Sequence, residues 1–206
     1  MEKLKVDFNK VIESLKLSEE NINSRKKNFN QFVENGFPNK RVEDWKFSDL
    51  NQIISSNIES LSFHTDLEPG EIAETTFVDK FEHNKIIFLN GLISKVDFSF
   101  EDEKKVLITR DLNKNATIKE VNSLVSLNNA LIASYIGITV KENYSLNKPL
   151  IIYNITTNNL KSTAINLKTD IILENNSSLK LINLFDDNSE NNFINIVQNF
   201  DIAQDA

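Results

Sequence analysis

Two histidines, one tryptophan and no cysteine set the limits on the chemistry open to this chain of 206 residues. His64 falls in a polar stretch and His83 stands beside Glu82 ahead of an apolar run. Neither has a second histidine at the one-turn spacing that a metal-binding helix supplies, so both are read as surface residues. A Ser/His/Asp relay would need one of them as its base and a serine on a G-x-S-x-G turn, and no such turn is written here. Without a thiol the chain offers neither a thiolate nucleophile nor cysteine ligands for zinc or an iron–sulfur cluster. Its glycines, Gly36, Gly70, Gly91 and Gly137, stand alone. Neither a phosphate-cradling loop nor a dinucleotide fingerprint can be drawn through them.

The stretch "DDNSENN" alternates oxygen ligands at Asp186, Asn188, Glu190 and Asn192 in the manner of a calcium loop. It fails at the two positions that matter, with Asn191 where the sharp turn wants glycine and Val197 where a bidentate glutamate should close the site. The stretch is therefore read as a solvated turn between strands, and "EDEKK" at 101–105 as a charged loop tip. No catalytic, cofactor-binding or metal-ligating residue is assigned, and no cofactor is implied. A net charge of -7 opposes binding to nucleic acid or to anionic membranes. No run approaches the ~20 apolar residues that span a bilayer, and the start "MEKLKVDFNKVIESLK" lacks the apolar centre of a secretion signal, which predicts a cytoplasmic protein.

Trp45, the sole tryptophan, lies inside the charged run "KRVEDWKFSDL". A bulky ring among charges is best accounted for by docking of the ring while its neighbours stay wet. The expectation is a largely buried Trp45 between the helices and the first strands. An exposed partner-binding hot spot is the other reading.

These residues need elements to position them. Leu4, Phe8, Val11, Ile12 and Leu15 recur at helical spacing and predict one helix. Ser18 caps a second, carrying Glu19 and Glu20 in its first turn, Ile22, Phe29, Phe32 and Val33 on one face, and ending at Asn35-Gly36. A short helix capped by Ser48 follows in "SDLNQIISSN", then a polar loop around Pro69-Gly70. Past Glu82 the texture turns to strands, with Asn90-Gly91 as a tight hairpin turn. Thr117 and Glu120 have capping-box spacing and predict a helix running through Val121, Leu124, Val125, Leu127, Leu131 and Ser134 up to Gly137. Apolar runs then start near Leu150, Ala164, Ser178 and Phe193, separated by Asn- and Asp-rich turns. The division is a helical region over 1–82 and a β-rich region over 83–206. Regular strands of this kind suit a sandwich, a meander or a β-helix, among which periodicity does not choose. Asn192 to Ile202 reads as a strand whose outer edge is unpaired.

Three segments bear a family likeness. "GFPNKRVEDWKFSDL" from Gly36 to Leu50 resembles the G-x-P-x-x-x-x-E-[DN]-W-K-[YF]-[ST]-x-L element that opens SufD proteins of the SUF iron–sulfur assembly system. "IIFLNGLIS" from Ile86 resembles that family's "VFVNG" strand-turn, and "LNNALIASYIGITVKENYSLNKPLIIYNIT" from Leu127 is the longest match. SufB, the paralogue, resembles the chain less well. The resemblance implies a mainly β protein in which an N-terminal helical region leads into a right-handed parallel β-helix. It implies a scaffold subunit, not an enzyme, that pairs with a SufB-like paralogue and serves a SufC-like ATPase, a homodimer being a further possibility. It also implies that the chain corresponds to the N-terminal half of such a subunit, with the family's cluster-building histidine and ATPase-docking helices falling beyond residue 206. Neither His64 nor His83 matches that histidine. A carbohydrate-active or adhesive β-solenoid would want rows of aromatics and paired carboxylates, which the strands lack, and a stand-alone interaction module is the remaining alternative.

Overall fold

A computed structural model describes residues 2–57, 61–63, 77–114 and 122–206. Helix α1 (Glu2–Ser14) buries Leu4, Phe8 and Val11, and α2 (Glu19–Asn35) buries Phe29 and Phe32, so the two apolar stripes read from the sequence face each other. The rings of Phe8 and Phe29 stack with centroids 4.2 Å apart. Ser18 caps α2 by accepting from the Asn21 N–H, and Gly36 ends it at φ 67°, donating its N–H to the Phe32 carbonyl at 2.7 Å. The short helix α3 (Leu50–Asn57) is capped by Asp49, whose Oδ1 accepts from Gln52 N at 2.9 Å, and not by Ser48.

Eight strands follow: β1 (Asn84–Leu89), β2 (Leu92–Asp97), β3 (Val106–Thr109), β4 (Ser134–Val140), β5 (Leu150–Thr156), β6 (Ala164–Leu173), β7 (Leu181–Asp187) and β8 (Phe193–Ile202). One helix, α4 (Ser123–Leu131), interrupts them. The capping box read at Thr117 and Glu120 lies outside the described residues. Among those described, the cap is Asn122, whose Oδ1 accepts from Val125 N at 3.0 Å. The helix stops at Leu131, short of Gly137. Ser134 to Val140 is strand because Tyr135, Ile136 and Ile138 are needed for the sheet, and the β-branched run suits a pleat better than a helix.

The strands order as β2-β1-β5-β7 and β3-β4-β6-β8. This corrects the expected architecture. The chain is mixed α/β, with two four-stranded mixed sheets and four α-helices among the described residues, and it is not a parallel β-helix. Each sheet opens with an antiparallel pair, β1 with β2 and β3 with β4, and continues with parallel ones. From β4 onward successive strands alternate between the sheets, so each parallel crossover is made by a strand of the opposite sheet. Apolar alternation shows that a strand has an inner and an outer face. It does not show which strand lies beside it, and the pairing decides the architecture.

The main core lies between the sheets, where Ile86, Phe88 and Ile152 meet Ile136, Ile138, Leu167 and Ile171. A second cluster joins α1 and α2 to Leu127, Ala130 and Leu131 of α4 and to Phe193. The buried carboxylate of Asp7 ties α1 down further by accepting from Phe63 N at 2.9 Å. Neighbouring Ser62 is bonded on both sides to the start of β6, from its N–H to the Ser162 carbonyl and from Ala164 N to its own carbonyl, each at 2.7 Å.

The β1–β2 turn has the expected form, with Asn90 at φ 50° and Gly91 at φ 87°. Two positive φ values in a two-residue hairpin match the right-handed strand twist. Asn90 also donates to Thr157 Oγ1 at 2.8 Å and accepts from Thr157 N at 2.9 Å, locking the turn to the end of β5. A Cβ on Gly91 would lie 2.7 Å from Ile165 Cγ2, so both backbone and neighbour forbid a side chain. Gly91→Ala is expected to destabilise the protein by about 1–3 kcal/mol, read as a lower urea midpoint at unchanged slope.

Candidate functional site

The sequence-predicted positions scatter. His64 lies outside the described residues. His83 is buried, not on the surface, and both ring nitrogens are engaged. The Phe81 carbonyl, 2.9 Å from Nδ1, can only accept, so Nδ1 carries a proton, and Nε2 is hydrogen-bonded with the Tyr153 hydroxyl at 2.8 Å. Tyr153 in turn accepts from Val78 N at 3.1 Å. Val78 and Phe77 lie on the outer face of the β1–β5–β7 sheet, over Ile87, Ile151 and Tyr153, and the histidine–tyrosine pair fixes the chain there.

The "DDNSENN" turn uses its oxygens internally. Asp187 accepts from Ser189 N at 3.1 Å and from the hydroxyls of Ser189 and Thr156. Asn192 accepts from Thr163 N at 2.7 Å, and Glu190 pairs with Lys161 at 3.3 Å. Among the described residues no three or more His, Asp or Glu side chains are grouped to hold a metal ion. Glu101 in the "EDEKK" tip is likewise occupied, accepting from Asn84, Tyr144 and the N–H groups of Asn147 and Lys148. Partial burial pushes its carboxyl up, but these donors prevail and hold it below the ordinary glutamate value.

Trp45 departs from its expected place. It ends a 3₁₀ turn (Glu43–Trp45) and is half-buried, lining a cleft of about 380 Å³ with Gln31, Asn35, Pro38, Asp44 and Leu124. Its neighbours are the end of α2 and the start of α4, with no contribution to that cleft from the first strands. The ring is partly open because this short turn rests on two helix ends, which cannot enclose a side chain as two packed layers do. Phe47, two residues on, is 89% exposed.

The densest group of functional side chains is one that the sequence did not disclose. Under α4, on the outer face of the β3–β4–β6–β8 sheet, lie Tyr135, Lys168 and Asp170, all nearly closed to solvent. Asp170 accepts from the Tyr135 hydroxyl and, at 2.6 Å, from Asn199 Nδ2. Lys168 Nζ donates to Asn129 Oδ1 at 3.2 Å. Burial lowers the Lys168 ammonium, Asp170 restores part of the loss, and the Arg25 charge lowers it again. Burial, together with the Asp170 charge, raises the Tyr135 phenol. Gly137 makes room for this, since a Cβ there would sit 2.7 Å from the Tyr135 hydroxyl oxygen.

Arg25 of α2 reaches into the same layer at 2% exposure. Its Nη1 donates to the carbonyls of Ala130 at 3.1 Å and Ile132 at 2.8 Å, and its Nε to Asn21 Oδ1 at 2.8 Å. Burial lowers its pKa to about 10, so it stays charged near neutrality. Asn128 Nδ2 bridges the carbonyls of Leu167 and Asn195 at 2.8 and 2.9 Å, and Asn195 Nδ2 returns to Leu124 O at 2.8 Å. The arrangement locks helix to sheet. The Lys168 amine, depressed as a nucleophile's would be, is sealed at 1% exposure and is placed to hold structure, not to attack a substrate. A faint signal existed in the sequence: Asn166, Lys168 and Asp170 alternate with Ile165, Leu167 and Ile171, a polar face that reads as solvated until a helix covers it.

Neither a scan of protein-family models nor a search of curated proteins finds a match for the chain. No helix among the described residues is long and apolar enough to cross a membrane.

Two outcomes test the site. Asp170→Asn leaves a buried ammonium without its counter-charge and is expected to cost about 3 kcal/mol or more, whereas Lys168→Met, which removes the ammonium itself, costs clearly less. Thermal denaturation of the two variants at pH 7 gives the order. Trp45→Ala is expected to fall below the ~3–5 kcal/mol of a buried aromatic, and Phe32→Ala within it, by urea midpoint.

Proposed function

We propose that the chain is a SufD-like scaffold subunit of an iron–sulfur cluster assembly complex, which acts by presenting surfaces to partner proteins and is itself non-catalytic. The observation that carries this reading is the ordered set of three family-like segments. Gly36 to Leu50 links α2 to α3, Ile86 to Ser94 is the β1–β2 hairpin, and Leu127 to Thr156 runs from α4 through β4 to β5. The last two, far apart in the chain, are hydrogen-bonded neighbours: β1 pairs with β5 in parallel, Ile86 beside Ile152 and Leu89 beside Ile155. Resemblance therefore falls on segments that depend on one another for folding. Asn90, inside the second segment, bonds Thr157, the residue that follows the third, which gives its identity a structural reason.

The partners this reading names are a SufB-like paralogue and a SufC-like ATPase, with the cluster as cargo. Affinity capture with the full chain as bait, against both proteins from the same cell, tests it. The expected outcome is retention of the SufB-like protein, with the ATPase retained only when that protein is present. If the SufB-like protein passes through at micromolar concentration, the reading is wrong.

A further inference from the structure

The dipeptide Asn-Gly occurs twice in the chain, at Asn35-Gly36 and at Asn90-Gly91. It is the step at which an asparagine side chain is most open to attack by the backbone, because glycine puts no Cβ beside the next amide nitrogen and lets that peptide turn freely. The fold treats the two steps differently. Asn90 is 4% exposed, and its side-chain amide is held at both ends by Thr157, donating to Oγ1 and accepting from N, so its Cγ is kept from swinging toward the Gly91 nitrogen. Its own N–H is bonded to the Ile155 carbonyl as well. Asn35 is exposed as the last residue of α2, its Nδ2 donating to the Gln31 carbonyl at 2.8 Å. One hydrogen bond, from Gly36 N to the Phe32 carbonyl at 2.7 Å, holds the next amide in the helix. Bonds of a helix's final turn open at little cost. Gly36 then absorbs the rotation while Phe37 stays packed on Phe32 and Phe193, with ring centroids 5.1 and 5.5 Å away.

We infer that Asn35-Gly36 is a site of spontaneous covalent modification, the conversion of Asn35 to aspartate and isoaspartate, and that this change acts on the cleft beside Trp45. Once the last turn opens, the Gly36 amide gives its proton to solvent base and its nitrogen attacks Asn35 Cγ. The new C–N bond closes a cyclic imide, the Cγ–Nδ2 bond breaks, and the departing nitrogen takes a proton from water and leaves as ammonia. Water then opens the imide. Cleavage at Cγ yields aspartate on the ordinary backbone, and cleavage at the main-chain carbonyl leaves the backbone running through Cγ as isoaspartate. Either product undoes the end of α2. A carboxylate there loses the donor that served Gln31, and it faces the negative end of the helix dipole with Glu34 before it and no basic residue in the last turn. Isoaspartate also adds a backbone methylene between Phe32 and Phe37, both anchored in one apolar cluster, so the Gly36 cap on Phe32 is lost. Asn35, Asp44 and Trp45 line the same cleft, so the new charge shares it with Asp44 and the loosened turn uncovers the indole. The site stands independently of the scaffold reading.

Incubation of the full chain at mildly alkaline pH, sampled over time and read by peptide mass spectrometry, tests it. Cleavage after lysine places Asn35 in the peptide 28–40 and Asn90 in the peptide 86–95, and exchange of the side-chain amino group for a hydroxyl is read as a mass gain in each. In the folded chain Asn35 is expected to convert about tenfold faster than Asn90 or more, because a helix end opens far more readily than a buried lock. In guanidinium chloride, where both steps are free, the two rates should converge. As Asn35 converts, the emission of the sole tryptophan, Trp45, should move to longer wavelength. Asn35→Gln, whose longer side chain cyclises far more slowly, should hold that emission in place. Equal rates in the folded chain, a faster Asn90, a ratio that survives unfolding, or a Trp45 emission that ignores the conversion or shifts equally in Asn35→Gln overturns the proposal.

Discussion

The buried guanidinium of Arg25 holds the helical layer to the rest of the molecule. It sits at the C-terminal end of α4, where the last carbonyls lack helical partners and the helix dipole is negative. Two of those carbonyls take hydrogen bonds from Arg25, so α4 is ended by a side chain of α2. No carboxylate pairs with this cation among the described residues, and its Nη2 makes no hydrogen bond there. The partial charge of the helix end takes the place of a counter-ion. Remove Arg25 and two carbonyls would be left without their donors in a dry layer, and the tie from α2 to α4 would reduce to apolar contact.

From α4 the chain of dependence continues into the sheet. Asn128 spans from the helix to the backbones of β6 and β8, and Asn195 answers from β8 to the helix. Apolar contact alone would let a nine-residue helix slide over a strand face with little change in energy. Directed amide bonds to backbone carbonyls permit one position, because any shift leaves buried donors unmet. The Tyr135–Asp170–Lys168 group does the same at the far side of that layer. Polar residues here set position, while the apolar core between the sheets supplies most of the driving force.

Among the described residues each sheet has two outermost strands, β2 and β7 in one and β3 and β8 in the other. The hairpin turn between β1 and β2 is locked to the end of β5 by Asn90, which bonds Thr157 through its side chain and the Ile155 carbonyl through its N–H. The charged groups that look chemical in isolation are spent on internal bonds, Asp170 on Tyr135 and Asn199, Lys168 on Asn129, and Glu101 on Asn84 and Tyr144.

Much of the local structure was legible in the sequence. The α1 and α2 stripes, the Ser18 cap, the Gly36 stop and the Asn90-Gly91 hairpin all depend on residues within a few positions of one another, and local physics decides them. Four of the five later strands begin where apolar alternation begins or within three residues of it, β4 being the one absorbed into a predicted helix. What the sequence did not determine is how these pieces meet. Partner choice made two mixed sheets where a β-helix was expected, ended α4 six residues before Gly137, buried His83 against Tyr153 and left Trp45 half-open between two helix ends. Above all, the polar face of β6 becomes a buried cluster only when α4 lies across it. Alternation fixes that Asn166, Lys168 and Asp170 share a face, but whether that face meets water or a helix depends on contacts between residues tens of positions apart, and those only the tertiary structure decides.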